Sequence, residues 1–185
     1  MGKSTTAAMM RRFGWPVFDS DAAARSLTAQ GGAALPEIAV AFSGVVGPMG
    51  LDREALARAV FSKPEALARL EGILHPKIGA TRRQFLMNAA LLKAPVVVLD
   101  IPLLFETGAD KDVDIVVVVT APAFLQRQRA MGRKGMTPEK LKGILARQMS
   151  DHSKRRQAFV IVPSGLGKRE ALRRLTPLRH LKRTS

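Results

Sequence analysis

The residues best suited to chemistry in this chain lie in a few short segments, and most of them suit a phosphate. The chain starts Met1-Gly2-Lys3-Ser4-Thr5. Gly2, Lys3 and Ser4 fill the end of the phosphate-binding loop pattern G-x-x-x-x-G-K-[ST], whose opening glycine would fall before Met1. In such a loop the lysine reaches the β- and γ-phosphates, and the hydroxyl that follows binds magnesium. Asp19 and Asp21 follow Val17-Phe18. Two acids at the carboxyl end of a strand stand where open α/β sheets bind ligands. They could orient or deprotonate an acceptor hydroxyl, with Asp21 the stronger candidate. Asp19 reads equally well as the cap of the next helix. Asp100 ends the run Val96 to Leu99, and an acid in that place often helps to hold magnesium in phosphate-loop enzymes. Arg127, Arg129 and Arg133 lie on or just after one helix, beside Gly132 and Gly135. Their planar guanidinium forks suit phosphate, and the segment has the look of a lid. A solvated face is the competing reading for one or two of them. Pro102 breaks the strand after Asp100; Leu103, Leu104 and Phe105 read as packing residues, and Glu106 as either a surface acid or a ligand contact. His75 reads as a helix-terminus or packing residue. With three histidines, no cysteine and no ligand spacing, no transition-metal site is expected.

The elements that must position these groups follow from pattern. Thr5 to Arg12 reads as helix, since a phosphate loop opens one. Val17-Phe18 reads as a short strand, Ala22 to Thr28 as helix, and Leu35 to Phe42 as helix closed by Gly44. Ser43 to Gly50 reads as a turn. Asp52 caps a helix from Arg53 to Phe61, and Ser62 caps another with Pro64 in its first turn. Leu67, Leu70, Ile73 and Leu74 form an apolar stripe at helical spacing. His75-Pro76 is expected to interrupt that helix, which resumes to about Leu92. Pro95 to Ile101 and Val113 to Thr120 are unalternated β-branched runs, as in strands covered on both faces of a parallel sheet. Ala123 to Met131 is helical, and Thr137 caps a helix with Pro138 at its first position. Phe159 to Val162 is a last strand, and a basic helix follows the Gly165-Leu166-Gly167 turn. Strands alternating with helices give an α/β fold with a parallel sheet. The stretch from Ala22 to Leu92 is too long for one crossover helix and reads as an inserted helical subdomain.

The 185 residues can bury one good core. No secretory signal and no run of about 20 apolar residues is visible, so no membrane association is expected. The absence of cysteine suits a reducing, cytoplasmic setting. The net charge of +15 attracts polyanions. Nucleic acid is the less favoured partner, because Tyr is absent and no aromatic platform for stacking bases is evident.

Taken together the residues resemble the dephospho-coenzyme A kinase family. The resemblance is carried by G-K-S-T at Gly2 to Thr5, V-F-D-S-D-A-A-A-R at Val17 to Arg25, and L-H-P at Leu74 to Pro76. It continues in V-L-D-I-P-L-L-F-E at Val98 to Glu106, L-Q-R at Leu125 to Arg127, and I-L-A-R-Q-M at Ile144 to Met149. It implies a three-layer phosphate-loop NTPase core, residues 1–21 and 93–185, with a lid at about 124–150. It also implies a helical acceptor subdomain at 22–92. The implied reaction moves the γ-phosphate of ATP to the 3′-hydroxyl of dephospho-coenzyme A. Asp21 is the implied general base, with Lys3 and Arg127 acting on the transferring phosphoryl group. Gly2, Lys3, Ser4, Thr5 and Arg133 would bind ATP, and Ser4 and Asp100 would bind Mg2+. Asp19, Arg25, His75, Pro102, Leu103 and Glu106 would line the acceptor site.

Two departures from the family pattern stand out. The family's first strand and the first half of its loop are expected to be missing here, which would leave the chain as given nearly inactive and less stable. Phe159 and Pro163 also replace acids of a late family pattern, in a region that resembles the adenine side of the site. The residues alone fit two other readings: another small-molecule or nucleotide kinase of the same fold, and an inactive basic binding protein.

Overall fold

The computed structural model describes residues 2–61, 63–132, 135–146 and 148–181. The expected cap Ser62 and the expected ATP ligand Arg133 lie outside the described residues. In chain order the elements begin α1 (Lys3–Arg12), β1 (Val17–Asp19), α2 (Ser20–Leu27), α3 (Leu35–Ala41), β2 (Val46–Gly47) and β3 (Gly50–Leu51). They continue α4 (Arg53–Val60), α5 (Pro64–Leu91), β4 (Val98–Asp100), β5 (Val117–Thr120) and α6 (Ala123–Met131). The last are α7 (Pro138–Ala146), α8 (Asp151–Arg156), β6 (Val160–Pro163) and α9 (Gly167–Leu175). Two compact units result: Met1–Val17 with Pro95–Ser185, and Phe18–Ala94.

The first unit is α/β. β5 and β6 pair in parallel, Val117 opposite Val160 and Thr120 opposite Pro163. The Val98 N–H donates to the Pro16 carbonyl at 2.9 Å. The valines do not alternate with polar residues, because helices cover them. Val98, Val117, Val119 and Val160 pack against a core of Met9 and Met10 from α1, Trp15, Val162, and Ala171 and Leu175 from α9. Val162 and Leu175 are fully buried. Each such side chain contributes about 1.5–3 kcal/mol. The strands are shorter than their apolar runs: Val98–Asp100 within 95–101, and Val117–Thr120 within 113–120. Pro95 has no N–H to donate and Pro102 ends the strand, while a 3-10 helix at Ala109–Asp112 delays the start of β5. The Thr137 hydroxyl accepts from the Lys140 N–H at 3.3 Å, with Pro138 opening α7. The short α8 carries little apolar periodicity, and the sequence reading did not separate it.

The second unit is helical around Ala34, Ile38, Phe42, Val45, Leu56 and Leu70. Asp52 caps α4, its Oδ1 accepting from the N–H groups of Glu54 and Ala55 at 2.9 Å. Two sequence expectations are corrected here. The 43–50 turn contains strand: β2 and β3 form an antiparallel hairpin, Val46 opposite Leu51. Gly50 permits it, with φ +97° and backbone at 2.8 Å from where a Cβ would stand. Nor does His75-Pro76 interrupt the helix, for α5 runs unbroken past Pro76. A helix-interior proline costs about 3 kcal/mol. Here α5 is held on both sides of it, by Leu70, Ile73 and Leu74 in the core and by Phe85 against Phe18, ring centroids 5.5 Å apart.

Candidate active site

The start of α1 is built to receive an anion. Gly2 caps it with φ +89°, a left-handed conformation that glycine adopts without strain. A Cβ there would stand 2.5 Å from the Ser164 Cβ, so glycine is required twice over. The first turn carries no acidic residue, and unpaired backbone N–H groups at a helix start favour negative charge. Ser4 and Thr5 are exposed in that turn. Lys3 Nζ lies 2.5 Å from Asp100 Oδ1, and the carboxylate side chain is 6% exposed. The contact is ionic, since no well-directed hydrogen bond from the described residues reaches that oxygen. The strand-end acid and the loop lysine, far apart in sequence, thus meet.

A second polar group adjoins Gly2. The Ser164 N–H and hydroxyl both donate to the Thr120 carbonyl, at 2.8 and 3.0 Å. Arg129 reaches the Ser164 hydroxyl and carbonyl at 3.4 and 3.5 Å. Of the two described arginines in that group, Arg129 is therefore seated beside the loop glycine, and Arg127 is exposed on α6. Thr120 Oγ1 donates to Asp151 Oδ1 at 2.6 Å. Sequence reasoning missed Ser164, Thr120, Asp151 and Lys154. The one available signal was that Thr120 and Ser164 end or follow apolar runs, where Asp100 also stands.

Asp100 leads into a compact turn. The Thr107 N–H donates to the Leu103 carbonyl and the Ala109 N–H to the Leu104 carbonyl, both at 3.0 Å, and Gly108 has φ +70°. Pro102 is exposed. Leu103 is mostly covered, at 36% exposed, so part of its surface packs as the sequence reading has it and part meets solvent. Glu106 points inward instead. Its Oε1 accepts from the Met149 N–H and from Lys154 Nζ, each at 2.8 Å, and its buried Oε2 has no hydrogen bond from the described residues. Burial pushes the Glu106 pKa up. The Lys154 hydrogen bond, the backbone N–H groups of Glu106 and Met149, and the Lys154 charge outweigh it, and the net shift is downward.

In the helical unit, Asp19 caps α2, its Oδ1 accepting from the Ala22 N–H at 2.9 Å. Arg25 lies 4.0 Å from the other carboxylate oxygen and is 56% exposed. Asp21 is exposed in the first turn of α2. His75 is exposed in mid-α5, so it neither ends a helix nor packs in the core, as the sequence reading had it. No cluster of three or more acidic, His or Cys side chains able to hold a metal occurs among the described residues.

Residues 1–167 match the family model described as dephospho-CoA kinase. The chain is 48% identical over 183 residues to a dephospho-CoA kinase of Gluconobacter oxydans, covering 97% of this chain and 91% of the relative. It is 50% identical over 177 residues to that of Rhodospirillum rubrum, covering 95% and 83%. A crystal structure from Thermus thermophilus is similar with a TM-score of 0.79 at 37% identity, covering 96% of this chain and 89% of the other. A dephospho-CoA kinase from Campylobacter jejuni is similar with a TM-score of 0.66 at 27% identity, again covering 96% and 89%. With its phosphate-loop α/β fold and these relatives, the chain belongs to the dephospho-CoA kinase family.

Proposed function

We infer that this chain transfers the γ-phosphate of ATP to the 3′-hydroxyl of dephospho-coenzyme A, the last step of coenzyme A synthesis. The observation that carries the reading is the Lys3–Asp100 pair beside a glycine-capped helix start. Phosphoryl transfer leaves the protein little covalent chemistry, so positioning and charge supply most of the rate. Lys3 and the first-turn groups of Gly2, Ser4 and Thr5 hold the triphosphate. Asp21 accepts the proton of the acceptor hydroxyl, as an exposed carboxylate can. Arg127 and Arg133 bring positive charge to the phosphoryl group and ATP from a lid at about 124–150. Asp19, Arg25, His75, Pro102 and Leu103 serve the acceptor, Arg25 and His75 from the helical subdomain at 22–92 and the others from the core.

Mg2+ suits the oxygens present. A magnesium ion takes one or two carboxylates plus substrate phosphates rather than a full protein cage. Asp100 would offer its carboxylate, whose buried Oδ1 lies against Lys3 Nζ, and Ser4 an exposed hydroxyl. The ion, when bound, screens phosphate charge and orients the β- and γ-phosphates. Both substrates are polyanions, which gives the charge of +15 a use without nucleic acid. No helix among the described residues is long and apolar enough to cross a membrane, and a cytoplasmic enzyme is the reading we adopt.

The test is direct. The purified protein is given ATP, Mg2+ and, in separate reactions, dephospho-coenzyme A, adenosine, AMP and shikimate. Mass spectrometry should find one added phosphate on dephospho-coenzyme A, and NMR should place it on the 3′-oxygen. Phosphorylation of another acceptor, with dephospho-coenzyme A left unchanged, would move the chain to a different small-molecule kinase.

A further inference from the structure

Glu106 makes contacts that neither phosphate nor acceptor binding requires. Its Oε1 takes the Met149 N–H and Lys154 Nζ, each at 2.8 Å, in a setting where the two side chains are 14% and 19% exposed. The three groups come from the turn after β4, the link between α7 and α8, and α8 itself. The Met149 N–H belongs to no helix, and a half-buried backbone donor left unmatched is costly. Asp151, just beyond, is held from the other side by the Thr120 hydroxyl at 2.6 Å. At the opposite root of the same arm, Gln126 Nε2 donates to the Ala121 carbonyl at 2.8 Å. The C-terminal root of the α6–α7 arm is thus fastened to the turn after β4 and to the end of β5, while the bond at its N-terminal root is local. Its outer face is open, with Ile144 44% and Leu145 53% exposed. One short turn, closed at Gly108, joins Asp100 to Glu106.

We propose that Glu106 is a positioning residue: through Met149 and Lys154 it fixes the root of the α6–α7 arm on the turn that follows Asp100, and so sets where Arg127 meets the transferring phosphoryl group. The inference rests on the reading of that arm as the lid of a kinase. It assigns Glu106 away from direct acceptor contact. Charge-assisted hydrogen bonds are shorter and stronger than neutral ones, and a bond at the base of an arm governs the placement of its whole length.

The experiment compares Glu106→Gln, Glu106→Ala, Arg127→Ala and the Glu106→Ala/Arg127→Ala double variant in the full chain. Glu106→Ala should lower kcat by about tenfold or more, since small misplacements far from the chemistry are amplified. KM for dephospho-coenzyme A should stay within about twofold, because the group touches no acceptor. Glu106→Gln keeps an acceptor for the Met149 N–H and should recover part of kcat. The double variant should be no slower than Arg127→Ala alone, the non-additivity expected of residues acting through one another. Hydrogen exchange reads the same device without turnover. Glu106→Ala should speed exchange at Met149 and along α7 while leaving α9 as it was. A raised KM with unchanged kcat would make Glu106 an acceptor ligand. Fully additive losses, or unchanged exchange in α7, would overturn the positioning role. If the wild-type chain phosphorylates another acceptor and leaves dephospho-coenzyme A unchanged, the substrate reading fails while the exchange result still decides the anchor.

Discussion

The phosphate-side unit and the helical unit hold their polar groups in opposite ways. In the first, Asp100 and Glu106 are turned inward, and each is matched with a lysine, Lys3 and Lys154. In the second, Asp21, Arg25 and His75 stand on the outer faces of α2 and α5. Burying a carboxylate costs several kcal/mol, on the order of magnitude known for single ions, unless a partner offsets it. A pair such as Lys3 with Asp100 is therefore set during folding. It fixes a long side chain whose rotamer freedom is worth up to about 2 kcal/mol before any nucleotide arrives. Exposed groups pay little of that burial cost, whatever partner they hold. On the proposed reading, the side that takes the nucleotide would be preorganised, and the side that takes the acceptor would be completed on binding.

The largest expected effect breaks the preorganised side. Lys3→Met removes the charge that neutralises Asp100 and that, on the proposed reading, reaches the phosphates. Turnover should fall by about a thousandfold, the upper range for a group that stabilises developing charge. Asp100 is then left buried without a cation, and an uncompensated buried carboxylate is strongly destabilising. The melting temperature should drop as well, and Lys3→Met with Asp100→Asn should regain stability but not turnover. Unchanged melting in Lys3→Met would mean that the pair contributes nothing to the fold, and the contrast between the two units would lose its basis.

The next effect tests the side completed on binding. Asp21→Asn should lower turnover by about a hundredfold, within the range for a general base. ATP affinity and melting temperature should hardly change, because an exposed carboxylate carries no burial cost. The measurements are steady-state kinetics, titration calorimetry with ATP, and thermal unfolding. Full turnover in Asp21→Asn would remove it as the base.

These two variants touch groups that sequence alone pointed to, and the reason is physical. Capping and phosphate-loop signals are local: Asp52 and Thr137 cap the helices assigned to them, and Lys3 and Asp100 fall at the element ends that phosphate chemistry uses. Contacts between distant segments leave no local trace. Nothing in L-L-F-E announces that Glu106 would meet Met149, 43 positions on. Nothing in P-S-G announces that Ser164 would crowd Gly2. Pro76 misled for the same reason. Its local penalty is real, but packing on both sides of it keeps α5 whole. The apolar runs around β4 and β5 overstated the strands because composition marks what can pair, and the partner decides how much does.

The smallest expected effect sharpens the comparison within a single helix start, where the cap Asp19 and the proposed base Asp21 stand two residues apart. Asp19 Oδ1 accepts from the Ala22 N–H at 2.9 Å, with φ −108° and ψ 106° at the cap position. That geometry is the one in which a side chain satisfies an orphan N–H of the first turn. Arg25, at 4.0 Å and 56% exposed, adds little, as exposed pairs do. Asp19→Ala should therefore cost about 1 kcal/mol, a fall in melting temperature of about 2–4 °C for a chain of this length. Asp19→Ser should restore most of it, since a serine hydroxyl caps as well. Asp52→Ala, which removes a cap of the same kind from α4, should give a loss of similar size with no kinetic change. Kinetics then decide whether Asp19 also touches the acceptor. A KM for dephospho-coenzyme A raised in both Asp19→Ala and Asp19→Ser would show a carboxylate contact beyond the cap. An unchanged KM in the serine variant would leave Asp19 as the residue that holds the turn in which Asp21 works.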